Sequence, residues 1–463
     1  MIKKAYPSLI TLFFTEMYER YGFYVIQALL IFYLVQKLHL SDSQSYSIVG
    51  AYTAFAYING IIGGIVADKL LGYDRTIILG AIMLVLGYYI CFCYLDNFKI
   101  FALGLAIIVA GTGHLKPNIS SIISIVYKNP RDKETAYNIF YIGLYIGALS
   151  GSLLGGYLQE KLGWSIAFMS PAIAMSLGLL CFLTGRKIYN IKDSRQFTLS
   201  TKTIIKVIAI QFFVIAESFY SITNPDLSNY IFMMTVIAAI FYMIFIIASA
   251  EPKYQKSLLK FFYLIVFSCI YWAIYFQQFF SVSIASTRIF YGNLPNSILT
   301  CFVSLGIIIF GPLLTYFWRQ LKDNNPSIMI KFSLSFVANF IVFILLATAI
   351  ILGNKYHLLL NQAVIVITYF IIAIGELCIS PVGLFMVSEL VPQDKVGIMM
   401  GFFMLSIGIG GKLAGFLAQI SSVSDITNIS AMQHTYLISF LIYAAISASM
   451  FTLIMIFHFN AKK

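Results

Sequence analysis

Three full charges, Glu16, Glu19 and Arg20, sit close together inside the first long apolar stretch of the chain, 7–38. Such a stretch, if helical, reaches across a bilayer at about 1.5 Å per residue. Positions i, i+3 and i+4 share one helix face, and Glu16 precedes Arg20 in the order that favours an ion pair. Left uncompensated in lipid, the three charges would cost roughly 8 to 10 kcal/mol. The cluster therefore belongs in a watery, protein-lined cavity, where its chemistry is the holding of ions and protons. A static ion pair that pins the first helix to a neighbour is the simpler alternative.

Two more charges point the same way. Lys116 lies in Gly111-Thr-Gly-His-Leu-Lys-Pro-Asn118, directly before Pro117, and Glu376 in Gly375-Glu-Leu-Cys-Ile-Ser-Pro-Val-Gly383, five residues before Pro381, each deep in an apolar segment. Cations in the first half of the chain can hold a carboxylate and Glu376 in the second an ammonium, so a short zwitterion fits. Carboxylates in such a cavity are also natural proton carriers, because burial favours the neutral acid and a nearby cation the carboxylate. A Glu19–Lys116 pair that breaks when Glu19 is protonated is the sharp expectation. A permanent bridge between two helices is the competing one. His114 points about 200° away from Lys116 and reads as a satisfied core histidine. Glu217 reads as structural or interfacial, and Lys412 is a further charge inside a span. The stretch Asp68-Lys69-Leu-Leu-Gly72-Tyr-Asp74-Arg75 follows Gly63-Gly64, and we read Asp68, Lys69 and Arg75 as a gate latch over the alternative of a solvated turn.

The elements that position these groups are membrane helices. With 60% hydrophobic and only 10% charged residues, the chain cannot be a soluble globular protein. Apolar segments recur near 7–38, 45–67, 75–96, 98–127, 136–160 and 164–185, and again near 257–284, 296–319, 329–352, 361–389, 397–421 and 432–459. Two more, 202–222 and 229–250, lie between these sets of six and are joined by Asn224-Pro225-Asp226. The expectation is an all-α polytopic protein of about fourteen spans. Its parts would be an N-terminal six-helix bundle (1–190), a linker with an inserted hairpin (191–256) and a C-terminal six-helix bundle (257–463). Segments 4 and 10 resemble each other, ending Asn129-Pro-Arg-Asp-Lys133 and Val391-Pro-Gln-Asp-Lys395, with inner prolines Pro117 and Pro381. Equivalent proline-broken helices in two halves point to a transporter site.

The net charge of +12 does not imply nucleic acid, because Lys and Arg crowd alternate loops. Lys128, Arg186, Lys187, Lys192, Arg195, Lys253, Lys322, Lys462 and Lys463 share one face, and Lys37, Lys99, Lys161, Arg288 and Lys355 the other. The positive-inside rule then places both termini in the cytoplasm. The start lacks a signal-cleavage pattern, so helix 1 is expected to stay. Six cysteines in apolar segments read as reduced core residues without a metal pattern. No H-E-x-x-H or nucleophile–base set argues for an enzyme.

Taken together, these residues resemble the proton-dependent oligopeptide transporters of the major facilitator superfamily over nearly the whole chain. Glu16, Glu19, Arg20, Tyr21, Phe23 and Tyr24 are similar to that family's E-x-x-E-R-F-x-Y-Y signature, and Gly111, Thr112, Gly113, Lys116, Pro117 and Asn118 to its G-T-G-x-x-K-P-N signature. Gly63, Gly64, Ala67, Asp68 and Arg75 match the loop after helix 2. Glu376, Leu377, Ser380, Pro381 and Gly383 match helix 10, and Trp272, Ala273 and Gln277 match helix 7. The inserted pair is typical of bacterial members.

The resemblance implies a major facilitator fold and import of di- and tripeptides by alternating access, with protons as the coupling ion and no cofactor. It implies proton coupling through Glu16, Glu19, Arg20 and Lys116, with the peptide carboxylate on Arg20 and Lys116 and its amino terminus on Glu376. The pocket would add Tyr24, Tyr57, Gln277 and Ser380. A monomer in the bacterial inner membrane is expected, with peptide, protons and lipid as its only partners.

Three departures bear on substrate. Gln27 stands where the family often has a second arginine, Tyr145 where it has an asparagine, and Val303-Ser304 where it has Asn and Pro. These predict an altered preference, for hydrophobic or modified peptides or another small zwitterion. Export, a non-peptide cargo, a channel or a membrane-embedded enzyme are the alternatives.

Overall fold

The computed structural model describes residues 2–126, 130–189, 191, 199–321, 324–392, 396–423 and 425–460. The expected charges or turn residues Lys128, Asn129, Lys192, Arg195, Lys322, Gln393, Asp394, Lys395, Lys462 and Lys463 lie outside them. Lipid offers no hydrogen bonds to the main chain, so apolar runs of this length must satisfy their own peptide groups as helices.

The helices are α1 (Ile2–Phe32), α2 (Asp42–Ile58), α3 (Gly60–Val66), α4 (Tyr73–Cys93), α5 (Phe98–Val126), α6 (Pro130–Tyr189), α7 (Thr201–Thr223) and α8 (Pro225–Ser249). They continue with α9 (Pro252–Tyr275), α10 (Ser281–Arg288), α11 (Cys301–Gln320), α12 (Ile328–Tyr356), α13 (Ala363–Leu390), α14 (Val396–Ala418) and α15 (Ile429–Asn460). Two short strands, β1 (Phe290–Tyr291) and β2 (Leu360–Asn361), pair in parallel. Among the described residues, twelve helical stretches are long and apolar enough to cross a membrane. One of them, Ile139–Tyr189, turns at Gly163 (φ 84°) and so holds two crossings. Helix α1, with its three central charges, stands outside the twelve and brings the crossings to the fourteen expected.

The chain forms two compact units. Unit 1 holds Met1–Leu38 and Ala51–Ser228, and unit 2 holds His39–Gly50 and Asn229–Lys463. In unit 1, α1 lies along α6, and α5 packs on α4, α3 and α7. In unit 2, α13 packs on α9, α11 and α12, while α14 lies along α9 and α15 along α12. The inserted hairpin is therefore divided, α7 joining unit 1 and nearly all of α8 unit 2. Helix α2 is divided as well, its first turns packing within unit 2. Helix α3 runs through a π-helical turn, Ala67–Leu71, into Gly72, whose φ of 83° gives the sharp reversal into α4. A side chain there would be strained.

Candidate functional site

Unit 1 gathers the charged residues of α1 and α5. Glu16, Glu19 and Arg20 are almost wholly buried, at 1%, 0% and 2% exposure. The Arg20 guanidinium donates to both oxygens of Glu19, Nε to Oε2 and Nη2 to Oε1. Its Nε also lies 3.4 Å from Glu16 Oε1, the i,i+4 pairing expected from the spacing. Arg20 sits over the Phe23 ring at 4.8 Å. Lys116 comes in from α5, its Nζ 4.1 Å above the Tyr57 ring and 6.0 Å from that of Phe23, close enough to Glu16 for the two charges to interact. Glu16 Oε2 is buried and accepts no hydrogen bond among the described residues. Two carboxylates and two cations thus share a site walled by aromatic faces, an environment that suits cations.

The local backbone explains how Lys116 is held. A Cβ on Gly63 would come within 2.0 Å of the Gly113 carbonyl oxygen, so glycine alone permits the close approach of α3 to α5. Pro117 lacks the N–H that would otherwise bond back into its helix. Beside it, Asn118 Nδ2 donates to Gly63 O at 3.2 Å and to His114 O at 2.6 Å, tying the two helices together. The G-T-G-x-x-K-P-N residues therefore include the joint that sets Lys116 in place.

The other expected residues of unit 1 are more dispersed in role. Tyr24 is half-buried on α1 beside Phe23. Gln27 is buried, and its Nε2 donates to Thr53 Oγ1 of α2 at 3.3 Å. Tyr145 is half-buried on α6. Of the gate residues, Asp68 and Lys69 are exposed, and Asp68 accepts a bond from the Tyr73 hydroxyl at 2.8 Å. Arg75 is half-buried, while its neighbour Asp74 is held by Arg186 of α6 at 2.6 Å.

In unit 2, Glu376 of α13 is buried and accepts a 2.6 Å bond from the Tyr275 hydroxyl of α9. Ser380, one turn further, is half-buried. The Gln277 side chain is committed to the protein: its amide donates to Ala273 O and Ala414 O, and its oxygen accepts from Ser281. Lys412 is buried on α14 near the Phe416 ring.

Several polar contacts went unseen in the sequence. Arg288, at the end of α10, grips Asp42 with both terminal nitrogens, at 2.6 and 2.7 Å, and also donates to the Tyr436 hydroxyl. His114 Nδ1 donates to Ala110 O, which leaves Nε2 to accept from Gln211 of α7 at 3.0 Å. Asn59 donates to Ser218 Oγ, and that hydroxyl donates to Glu217. The only sequence sign of these contacts was a polar residue in an apolar helix, which does not name its partner.

A fourteen-crossing helical protein with paired charges buried in one unit and a buried acid in the other is built as a membrane carrier. The chain belongs to the POT family, whose sequence profile matches residues 74–437. Lys116 and Glu376 lie within that match and the α1 charges lie before it. Dipeptide and tripeptide permease A of Erwinia pyrifoliae is 28% identical over 443 residues, 93% of this chain and 89% of its own. A peptide transporter POT solved in complex with sulfate is 26% identical with a TM-score of 0.82, over 96% of this chain and 94% of the other. Tetrameric PepTSo2, at 21% identity and a TM-score of 0.86 over 99% of both chains, shares the fold. The expected family and fold are borne out, and the chain stands among transporters and not enzymes.

Proposed function

We propose that this protein is a symporter in the bacterial inner membrane, with both termini cytoplasmic, that imports di- or tripeptides together with protons. Peptide cargo is supported by family membership and by the permeases and peptide transporters the chain resembles. The observation that carries the coupling is the buried set Glu16, Glu19 and Arg20 with half-buried Lys116 beside it. Arg20 and Lys116 receive the peptide carboxylate in unit 1, and Glu376 receives the amino group in unit 2. Tyr24, Tyr57, Tyr145 and Ser380 are assigned to the lining of the pocket, and Asp68, Lys69 and Arg75 to the gate.

Because the Arg20 fork occupies both oxygens of Glu19, a proton reaches Glu16 at lower cost: its Oε2 accepts one without breaking that fork. Protonation of Glu16 removes one negative charge from beside Arg20, and the guanidinium N–H groups outside the Glu19 fork then hold an incoming carboxylate more strongly. Gln27 in place of a cation removes one anchor, so the carrier relies on Arg20 and Lys116 and favours side chains that bury well.

The test is accumulation of a labelled dipeptide panel, with hydrophobic and modified members, in proteoliposomes with and without an inward proton gradient. Gradient-dependent uptake ranked by hydrophobicity is expected. Folded protein that moves no peptide under any gradient overturns the cargo assignment, and uniform uptake of varied dipeptides overturns the altered preference.

A further inference from the structure

Unit 2 contains a cavity of about 390 Å³ that none of the transport residues line. Its floor is α13, through Leu377, Pro381 and Phe385, spaced i, i+4 and i+8 on one face. Glu376 lies about 100° around the same helix and bonds toward α9, so the cavity occupies a different flank. One wall is α11, where Gly311 contributes no side chain and Leu314 and Trp318 follow. The other is the first turn of α12 with Lys331.

The cavity is amphipathic along its length. At the helix ends, Lys331 Nζ sits 5.1 Å from the Trp318 ring, with Asn325 and Ser327 alongside. Further in, the lining is Leu314, Leu377 and Val382. Lys331 is the one charged lining residue among those described, with no carboxylate opposite it. The lining residue Phe385 is 54% exposed, and on the face of α11 turned away from the cavity Leu313, Tyr316 and Phe317 are 53–65% exposed. Side chains of this kind on a membrane helix meet lipid.

We propose that this cavity binds an anionic phospholipid. Its phosphate pairs with the Lys331 ammonium at the Trp318 end, and an acyl chain lies along Leu314 and Leu377. The single cation against an unopposed anion supplies the charge complementarity, and the apolar slot favours a lipid over a soluble phosphate. Basic pockets between membrane helices bind anionic headgroups in this manner, and tryptophan suits the headgroup level.

The experiment uses the full chain in bilayers and its tryptophan fluorescence. Brominated phosphatidylglycerol and brominated phosphatidylcholine are compared as quenchers in the parent protein, in Trp318→Phe and in Lys331→Gln, with folding verified for each by its thermal melt. The Trp318-dependent quenching should show about fivefold tighter binding of the anionic lipid, the factor one lysine near an anionic headgroup supplies. Lys331→Gln should abolish the preference while quenching by both lipids persists. Equal quenching by the two headgroups, or a preference that survives in Lys331→Gln, overturns the proposal. Displacement of the anionic lipid by glycerol 1-phosphate would also overturn it, by making the ligand a soluble phosphate. Should Lys331→Gln fail to fold, Lys331→Arg decides: retention of the preference is required.

Discussion

At the residue scale, the α1 cluster combines two energies that pull apart. Arg20 stabilises two buried carboxylates, so its removal leaves both without their partner, whereas Glu16 has an oxygen to spare. Arg20→Ala should therefore destabilise unit 1 by about 3–5 kcal/mol, the usual consequence of breaking a buried pair from one side. Denaturant titration in detergent measures it, and a loss below 1 kcal/mol would show that the fork is not structural. Glu16→Gln keeps shape and hydrogen-bonding capacity but cannot exchange a proton. Its expected outcome is folded protein that still exchanges labelled for unlabelled peptide yet no longer accumulates it under a proton gradient. Accumulation at the parent level would remove Glu16 from the coupling step.

The cluster was legible in the sequence because a charge in an apolar helix is expensive and needs a reason. The Arg20–Glu16 contact follows from spacing on a single helix, and Lys116 from its motif. Arg288 with Asp42 could not be read the same way. The two residues are 246 positions apart, and each viewed alone is an ordinary polar residue near a helix end. Pairs of that kind are set by tertiary packing and leave no periodic trace. Gln277 shows the opposite limit: its place in a helix 7 motif suggested cargo, whereas its side chain is spent on the backbone of α9 and α14.

At the element scale, the contact between α3 and α5 is the joint on which Lys116 depends. The adjacent glycines provide an internal control, because a Cβ on Gly63 would strike the Gly113 carbonyl while one on Gly64 would meet nothing within 4 Å. Gly63→Ala should lower folded yield and transport together, and Gly64→Ala should leave the melting temperature within about 2 °C of the parent, as a small change at an uncrowded site. Equal melting of the two variants would show that α3 and α5 can part without penalty. The sequence offered Gly63-Gly64 as a pair and gave no means of telling the two apart, since the distinction rests on which face of α3 meets α5.

At the scale of the whole molecule, the proposed orientation has both termini in the cytoplasm, since fourteen crossings are an even number and Lys and Arg favour the cytoplasmic side. A green fluorescent protein fused at the C-terminus should fluoresce and alkaline phosphatase fused there should be inactive. The reverse pair of results would invert the orientation and with it the direction of import. Span number was legible because hydropathy acts on every residue of a helix. The boundary between units was less so: α2 reads as one continuous apolar segment, yet Asp42 and Tyr46 bond to partners in the second half of the chain.

The bonds between α5 and α7 carry a consequence for how the protein is made. Gln211 follows His114 by 97 residues, and ribosomes add about 5–20 residues per second. For roughly 5 to 20 seconds of synthesis, the nascent chain therefore holds His114 in lipid before its partner on α7 has been translated, and Asn59 waits longer still for Ser218, 159 residues on. The inserted hairpin, whatever its part in transport, acts first as the closing clasp of a half-built membrane protein, and a chain truncated before α7 should be a preferred client of membrane quality control.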